Sequence, residues 1–261
     1  MADNNPQTGE DDLLVPEVLP QEQALENLKR FLLPGDVINL SGRSPWWNLA
    51  FKCAYRGIRS NQRRIFGNQS NWHDTHCMLY LDPEHTLSVE PPRARWLKPE
   101  DYCLDRLSVW RFTKWPTPLN DEEKAVMMDC AERHLINTTY DVGQLLDILV
   151  NTILRYPHVL RYRLFDFGKK YKVCSVGVRV LFEALRKYKL EHGKPSYSRL
   201  FARVNPLAPW PGGIFPQSRI RGKYGVDVEA TSPAHFANSH YFEGEFRLVA
   251  VMDSGKILWQ G

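Results

Sequence analysis

The sequence lacks three features by which many proteins are assigned to a class. Its five cysteines form no CxxC pair and no compact framework, and their number is odd, so we predict no disulfides and expect a reducing compartment. No apolar run is long enough to span a bilayer, because polar residues interrupt the best candidate, "VGQLLDILVNTIL". A net charge of +4 is small for 261 residues and gives no reason to expect nucleic acid as a partner. We therefore expect a soluble protein without a transmembrane segment.

The beginning of the chain lacks a recognisable targeting signal. The stretch "MADNNPQTGEDDLLVPEVLP" has neither the basic n-region nor the apolar h-region of a Sec signal peptide. We expect a cytoplasmic protein, with export by another route or virion association as open alternatives. Residues 1–20 are acidic and polar, which predicts a disordered tail. No repeat or low-complexity linker divides residues 21–261, which predicts a single domain.

The chain contains a succession of helices and short strands. Helical periodicity predicts helices in "QEQALENLKRFLL", in "NDEEKAVMMDCAERHL" with Asn120 as its cap, in "QLLDILVNTIL", and from about Cys174 onward. Alternating runs predict strands in "DVINL", "THCMLYLD", "HTLSVE", "RLSVWRFTKW" and "GEFRLVAVM", of which the second and third form a hairpin. Short, hairpin-linked strands among helices favour an α+β fold over a doubly wound parallel sheet.

Cys174 is the one cysteine at the predicted start of a helix. There the helix dipole and the free backbone N–H groups stabilise a thiolate, and the same N–H groups can bind the oxyanion of a tetrahedral intermediate. Three lysines upstream favour the thiolate in the same way: Lys169, Lys170 and Lys172. Because free cysteines are most often simply buried, Cys174 needs a nearby base to count as a nucleophile.

His76 is the candidate base, and Glu90 is the candidate residue that orients it. If Leu81 pairs with His85 across a three-residue loop, His76 lies opposite Glu90 on one face of the hairpin. A carboxylate at that position would fix the tautomer of the imidazole. A loop of two or four residues would instead place Glu90 opposite Cys77, and both residues would then be ordinary strand residues.

The stretch "NWHDTHC" also raises the alternative of a metal site. Four ligand-type side chains within five positions of an extended strand cannot all converge on one ion, and no second cluster completes the set. We therefore predict neither a metal nor a cofactor. Of this stretch we expect only His76 to take part in chemistry, with His73 and Cys77 as bystanders.

The order of these elements resembles the permuted papain-like amidases, the circularly permuted branch of the NlpC-type cysteine peptidases that includes the YiiX-like proteins. In that family, "PGD" and an apolar strand precede the histidine strand, an acidic strand follows, and "CS" opens a helix much later. The counterparts here are "PGDVINL", "THCMLYL", "TLSVEPP" and "CSVGVRVLFEAL", with "SVWRF", "TTYD" and "TSPAHFANSHYF" in matching order. The resemblance covers most of residues 34–250. Val176 and Thr75 depart from it, since the family often has glutamate and serine there.

The resemblance implies a circularly permuted papain-like fold, in which a small antiparallel sheet packs against helices. It implies Cys174 as nucleophile, His76 as general base and acid, and Glu90 as the residue that orients His76, while Tyr140 and Tyr171 line the substrate site. The implied activity is that of a cysteine peptidase or amidase, which cleaves an amide bond through an acyl-enzyme. Peptides, and peptidoglycan-like peptides in particular, are the substrate class typical of the wider superfamily.

Two other functions stay open. A lipid-directed thioesterase or acyltransferase would use the same triad on an acyl substrate, and a non-catalytic binding or structural module would keep the fold without turnover. The basic stretch 142–170 is a candidate substrate wall. A second basic cluster suggests contact with an anionic polymer or a membrane surface as an alternative to an ordinary exposed face: Arg56, Arg59, Arg63 and Arg64. The sequence indicates no oligomeric state.

Overall fold

Seven strands and four helices make up most of the described part of the chain. The computed structural model describes residues 18–41, 55–60, 62–63, 73–114, 118–139, 174–194, 232–238 and 246–261. The strands are β1 (Val37–Leu40), β2 (His76–Asp82), β3 (His85–Val89), β4 (Ala94–Leu97), β5 (Leu107–Phe112), β6 (Phe246–Asp253) and β7 (Lys256–Gln260). The helices are α1 (Gln21–Lys29), α2 (Asp121–His134), α3 (Cys174–Glu191) and α4 (Pro233–Ala237), with a 3-10 turn at Pro99–Asp101. Residues 55–60 are also helical.

The strands form one antiparallel sheet in the order β4-β3-β2-β1-β5-β6-β7. Alternation along each strand divides the core between the two faces of this sheet. On one face Met78 and Tyr80 of β2 pack with α1. On the other face Cys77 and Leu79 pack with α2, α3 and α4. The face that carries Cys77 is therefore the face on which α3 lies.

This architecture confirms the predicted α+β class. The predicted cap of α2 is also confirmed, because the side chain of Asn120 accepts the backbone N–H of Glu123 at 2.9 Å. The predicted helix "QLLDILVNTIL" and the first 17 residues lie outside the described residues. Strands β4 and β7 were not predicted. Among the described residues, no helix has the length and apolar character that a membrane crossing requires.

The "PGD" sequence anchors the start of the central strand β1. Gly35 has φ +98°, a conformation that favours glycine, and its N–H donates to the carbonyl of Tyr80 at 2.8 Å. The buried carboxylate of Asp36 accepts hydrogen bonds from Nε and Nη2 of Arg111, both at 2.8 Å. Burial raises the pKa of Asp36 more than Arg111 lowers it. Since Arg111 lies on β5, this ion pair joins the beginning of β1 to its neighbour in the sheet.

Gly177 lets the first turn of α3 approach the sheet closely. A Cβ atom on this glycine would lie 2.6 Å from Cγ2 of Val89 at the end of β3, which is too close for any real contact. At the far end of α3, the buried ammonium group of Lys189 pairs with the buried carboxylate of Glu123 on α2. These two contacts, one at each end, hold α3 against the sheet and against α2.

We predict that Gly177→Ala destabilises the protein, although alanine favours helix by up to about 1 kcal/mol at an unhindered position. The new methyl group would collide with Val89, so we expect the free energy of unfolding to fall by about 1–3 kcal/mol. Urea denaturation of Gly177→Ala, Val89→Ala and the double variant measures the coupling between the two sites. Alanine at position 177 should cost less in the Val89→Ala background; an equal cost in both backgrounds would show that Val89 is not the obstacle.

Candidate active site

Cys174 is the first residue of α3, as the sequence predicts, and it is 4% exposed. The first turn of α3 contains no acidic residue, so no local negative charge opposes the favourable end of the helix dipole. Val178, Leu181 and Phe182 are buried in the core between α3 and the sheet. The position of Cys174 against β2 therefore follows from the packing of the whole helix.

Two neighbouring residues of β2, His76 and Cys77, act on the pKa of Cys174. The Cys77 thiol does most to lower the pKa of Cys174; burial opposes it, and the charge and hydrogen bond of His76 lower the pKa further. Together they hold the pKa of Cys174 well below its ordinary value, which favours the thiolate form.

His76 is the first residue of β2, and its ring interacts with Cys174. Burial lowers the pKa of its ring, but the charge of Cys174, their hydrogen bond, and the charges of Glu90 and Asp105 together raise it. Nε2 of His76 lies 2.9 Å from Oγ of Ser88, so we expect Nδ1 to be the ring nitrogen that exchanges a proton with Cys174. Because one pKa falls and the other rises, both shifts favour the ion pair of a thiolate and an imidazolium.

Glu90 makes its hydrogen bonds elsewhere. Its carboxylate accepts Nε of Arg95 at 2.9 Å and pairs with Nη2 of the same guanidinium. Its negative charge still contributes to the raised pKa of His76. The side chain that the structure places in hydrogen-bond contact with the His76 ring is Ser88, and the orienting role of Glu90 stays a prediction.

The register of the β2–β3 hairpin has the parity that the sequence analysis expected. Met78 pairs with Ser88, and the same register extended by two residues beyond the paired part would set His76 across from Glu90. The connection differs from the predicted three-residue loop, because it contains only residues 83–84. An irregularity near the end of β2 adds one residue to that strand and restores the expected pairing.

Cys77 is the site residue that sequence analysis missed. It was expected to be a bystander, but its side chain is fully buried and is the largest cause that lowers the pKa of Cys174. Burial, and next the hydrogen bond and charge of Cys174, raise the pKa of Cys77 well above its ordinary value. Cys77 therefore stays protonated and acts as the donor. Alternation along β2 was the available signal, since it places Cys77 on the face opposite to that of His76.

Tyr55 is a second unanticipated neighbour, and it belongs to the helical residues 55–60. Burial raises the pKa of its phenol, and the charges of Cys174 and Glu90 raise it further. The phenol therefore remains a hydrogen-bond donor close to the site. The predicted substrate-site residues Tyr140 and Tyr171, and the basic stretch 142–170, lie outside the described residues.

The remaining polar residues near the start of β2 have separate partners. The Asp74 carboxylate accepts hydrogen bonds from Ser41 at 2.8 Å and from Ser108 at 3.3 Å. The backbone carbonyl of His73 accepts Nε of Arg59 at 3.0 Å. Over the ranges that the structure describes, no group of three or more His, Cys, Asp or Glu side chains is arranged to hold a metal ion.

Comparison with known proteins does not assign this chain to a family. No protein-family model matches this chain, and no curated protein matches its sequence. The chemistry of the protein is therefore inferred from the contacts that surround Cys174. Those surroundings have the elements of an activated thiol: a helix start, and a histidine and a second cysteine that lower the pKa of Cys174.

We predict that iodoacetamide alkylates Cys174 with a pH midpoint well below about 8.5, the ordinary thiol pKa. The reason is the effect of Cys77 and His76 on the pKa of its sulfur. Peptide mass spectrometry across a pH series measures the midpoint for each thiol separately. Cys103 and Cys130 are internal controls, because burial raises their pKa values.

The same titration separates the two partners of Cys174. His76→Ala and Cys77→Ala should each move its midpoint to higher pH, whereas Cys77→Ser, which keeps a donor, should move it less. A Cys174 midpoint equal to that of Cys103 in the wild type would contradict the activated thiol.

We predict that Ser88→Ala lowers the pKa of His76 by about one unit, because a protonated Nε2 loses its acceptor. Ring-proton NMR across a pH series measures this pKa. Ser88→Thr is the matched control, since it keeps the hydroxyl group on the same strand and should leave the pKa nearly unchanged. If both variants titrate like the wild type, Ser88 does not stabilise the imidazolium.

Proposed function

We propose that this protein is a cysteine hydrolase that cleaves an amide bond, with Cys174 as nucleophile and His76 as general base and acid. The observation that carries the proposal is the placement of Cys174 at the start of α3 and of His76 at the start of β2, with pKa values that each shifts for the other in opposite directions. Two groups with opposite shifts and mutual contact have the properties of an acid–base pair in catalysis. A merely structural pair of buried side chains has no need of a charged thiolate.

The chemistry follows from the positions of these groups. The Cys174 thiolate attacks the substrate carbonyl, and the backbone N–H groups at the start of α3 stabilise the oxyanion. The His76 imidazolium gives its proton to the leaving amine, and an acyl-enzyme remains on Cys174. Neutral His76 then takes a proton from water, which attacks the acyl group and frees the thiol. The charge of Glu90 favours the imidazolium at the start of this cycle.

The order of elements supports a circularly permuted papain-like fold for this hydrolase. A "PGD" turn opens β1, β2 carries the histidine, an acidic residue follows β3, and the cysteine helix comes later in the chain. Asp36 of the "PGD" turn pairs with Arg111 of "SVWRF", so two of the family's motifs meet in the sheet. This contact gives the shared motifs a structural reason, which supports the proposed family.

Peptides, with peptidoglycan-like peptides among them, are the proposed substrate class. The thiolate would also react with a thioester or an oxygen ester, because its attack on a carbonyl carbon is the same step. We therefore design the test so that it separates amide, ester and thioester substrates.

We predict that the wild type releases amine from a panel of peptide amides, including cell-wall muropeptides, and forms a transient acyl-enzyme on Cys174. Cys174→Ala should abolish turnover, and His76→Ala should reduce kcat by about 10²–10⁴-fold, because general acid–base catalysis contributes that much. Amine release and intact-protein mass are measured together. Cys103→Ala is the matched control, since Cys103 lies in the core on the opposite face of the sheet.

The other outcomes contradict the amide proposal in distinct ways. Turnover of acyl thioesters or esters without amide cleavage would replace it with acyl-transfer chemistry. No turnover and no acyl-enzyme, with Cys174 still selectively alkylated at low pH, would leave a binding module that keeps an activated thiol.

A further inference from the structure

A small cavity lies at the end of the sheet where β2 begins, and much of its lining is apolar. Its volume is about 110 Å³. Trp110 pairs with Leu248 and Ser108 pairs with Val251 across β5 and β6, so these side chains lie on one face of the sheet. All four residues line the cavity, together with Leu107. Because a cavity of about 150 Å³ holds benzene, this one has room for a group smaller than a phenyl ring.

The rim of the cavity is polar. The half-buried carboxylate of Asp74 accepts hydrogen bonds from Ser41 at 2.8 Å and from Ser108 at 3.3 Å. Ser108 in turn accepts Nε1 of Trp110 at 2.8 Å, so its hydroxyl is used within the wall. Two exposed residues complete the rim: His73 and Arg106. A carboxylate and a guanidinium offer one acceptor and one donor, which are the two groups that a peptide unit requires.

The register of the sheet gives the distance between this cavity and the candidate active site. Asn39 of β1 pairs with Cys77 of β2 on one side and with Ser108 of β5 on the other. Directly paired residues lie on the same face, so the three form a row across neighbouring strands. Strands lie about 4.8 Å apart, so the row is about 10 Å long. An extended peptide covers that distance with about three residues.

The helical residues 55–60 border the same region. Tyr55 packs against the core that contains Cys174, where burial and then the charge of Cys174 raise the pKa of its phenol. Arg59, one turn later, donates Nε to the backbone carbonyl of His73 at 3.0 Å. Gln62 donates Nε2 to the backbone carbonyl of Asp74 at 2.7 Å. This segment therefore leads from the candidate site to the rim of the cavity.

We propose that the cavity is a specificity subsite, which receives a small apolar side chain of the peptide substrate two or three residues from the cleaved bond. This inference rests on the proposed function, and it adds the side chain that the substrate carries. Alanine and valine side chains fit the volume, whereas a phenyl ring exceeds it. An acidic side chain would meet the carboxylate of Asp74. At the rim, Asp74 accepts a peptide N–H, and Arg106 donates to a peptide carbonyl oxygen.

The first test measures hydrolysis of acetylated pentaglycine amides that carry one alanine, valine, phenylalanine or glutamate at each position in turn. At one position two or three residues from the cleaved bond, alanine and valine should raise kcat/KM about tenfold over glycine. Phenylalanine and glutamate should give no gain there. Val251→Phe fills the cavity and should remove the preference for valine. Leu258→Phe is the matched control, because Leu258 is exposed on β7, and it should keep the preference.

The second test measures occupancy of the cavity without turnover. The Cys174→Ala variant is labelled with 5-fluorotryptophan, and the fluorine resonance of Trp110 is assigned with Trp110→Phe. The valine peptide should shift this resonance saturably, whereas the phenylalanine and glutamate peptides should not.

The two tests separate failure of the subsite from failure of the hydrolase. Hydrolysis by the wild type with no shift of the Trp110 resonance, or a preference for valine that survives in Val251→Phe, would overturn the subsite and leave the hydrolase. A preference for phenylalanine or glutamate at that position would also overturn it. A saturable shift by the valine peptide, without turnover of any peptide by the wild type, would uphold a peptide-binding cavity and refute the hydrolase. Neither turnover nor a shift would overturn both.

Discussion

The close packing of the first turn of α3 on the ends of β2 and β3 is the contact on which the candidate site depends. Gly177 lies one turn after Cys174 and meets Val89 with no space for a side chain. Val89 in turn lies between Ser88 and Glu90, the two residues that act on His76. A helix held even slightly further away would leave the Cys174 sulfur without its donors. Since a buried thiolate without donors is unfavourable, the same movement would raise its pKa and remove its reactivity.

The sheet must be equally rigid for this contact to have a fixed geometry. β1 lies at the centre of the sheet, and the buried pair of Asp36 and Arg111 joins its start to β5. Breaking a buried pair of this kind typically costs about 3–5 kcal/mol, because one charge is left without a partner. Asp36 is held by Arg111 on one side and by the backbone N–H of Leu33 on the other. The motif that resembles a family signature at residues 34–36 thus acts on the site indirectly, through the position of β2 beside β1.

Local patterns predicted the elements of the site well, and tertiary contacts account for what they missed. Hydrophobic periodicity and helix-start signals act over a few residues, and they predicted the start of α3 and the strand that carries His76. The pairing of His76 with Glu90 was predicted from a three-residue loop, yet the loop has two residues and an irregularity in β2 restores the register. A two-residue loop without this irregularity would have placed Glu90 opposite Cys77, on the other face of the sheet. The ion pair of Glu90 depends on Arg95 in β4, a strand that the sequence did not predict. The effect of Cys77 on the pKa of Cys174 joins residues about a hundred positions apart, which no local pattern can specify.

The position of His76 at the start of β2 bears on how two neighbours in sequence act on one sulfur. Adjacent residues of a strand point to opposite faces, yet both His76 and Cys77 lower the pKa of Cys174. His76 is the first residue of β2 and is only half-buried, so its ring lies where the strand ends and can contact groups from both faces. Its Nε2 bonds to Ser88, and the ring also reaches Cys174 on the α3 side. The imidazole thus lies at the end of an interior strand of the sheet. The largest cause that lowers the pKa of Cys174 is the strand residue Cys77, ahead of the charge of His76, so the neighbours of the sulfur on β2 set its pKa.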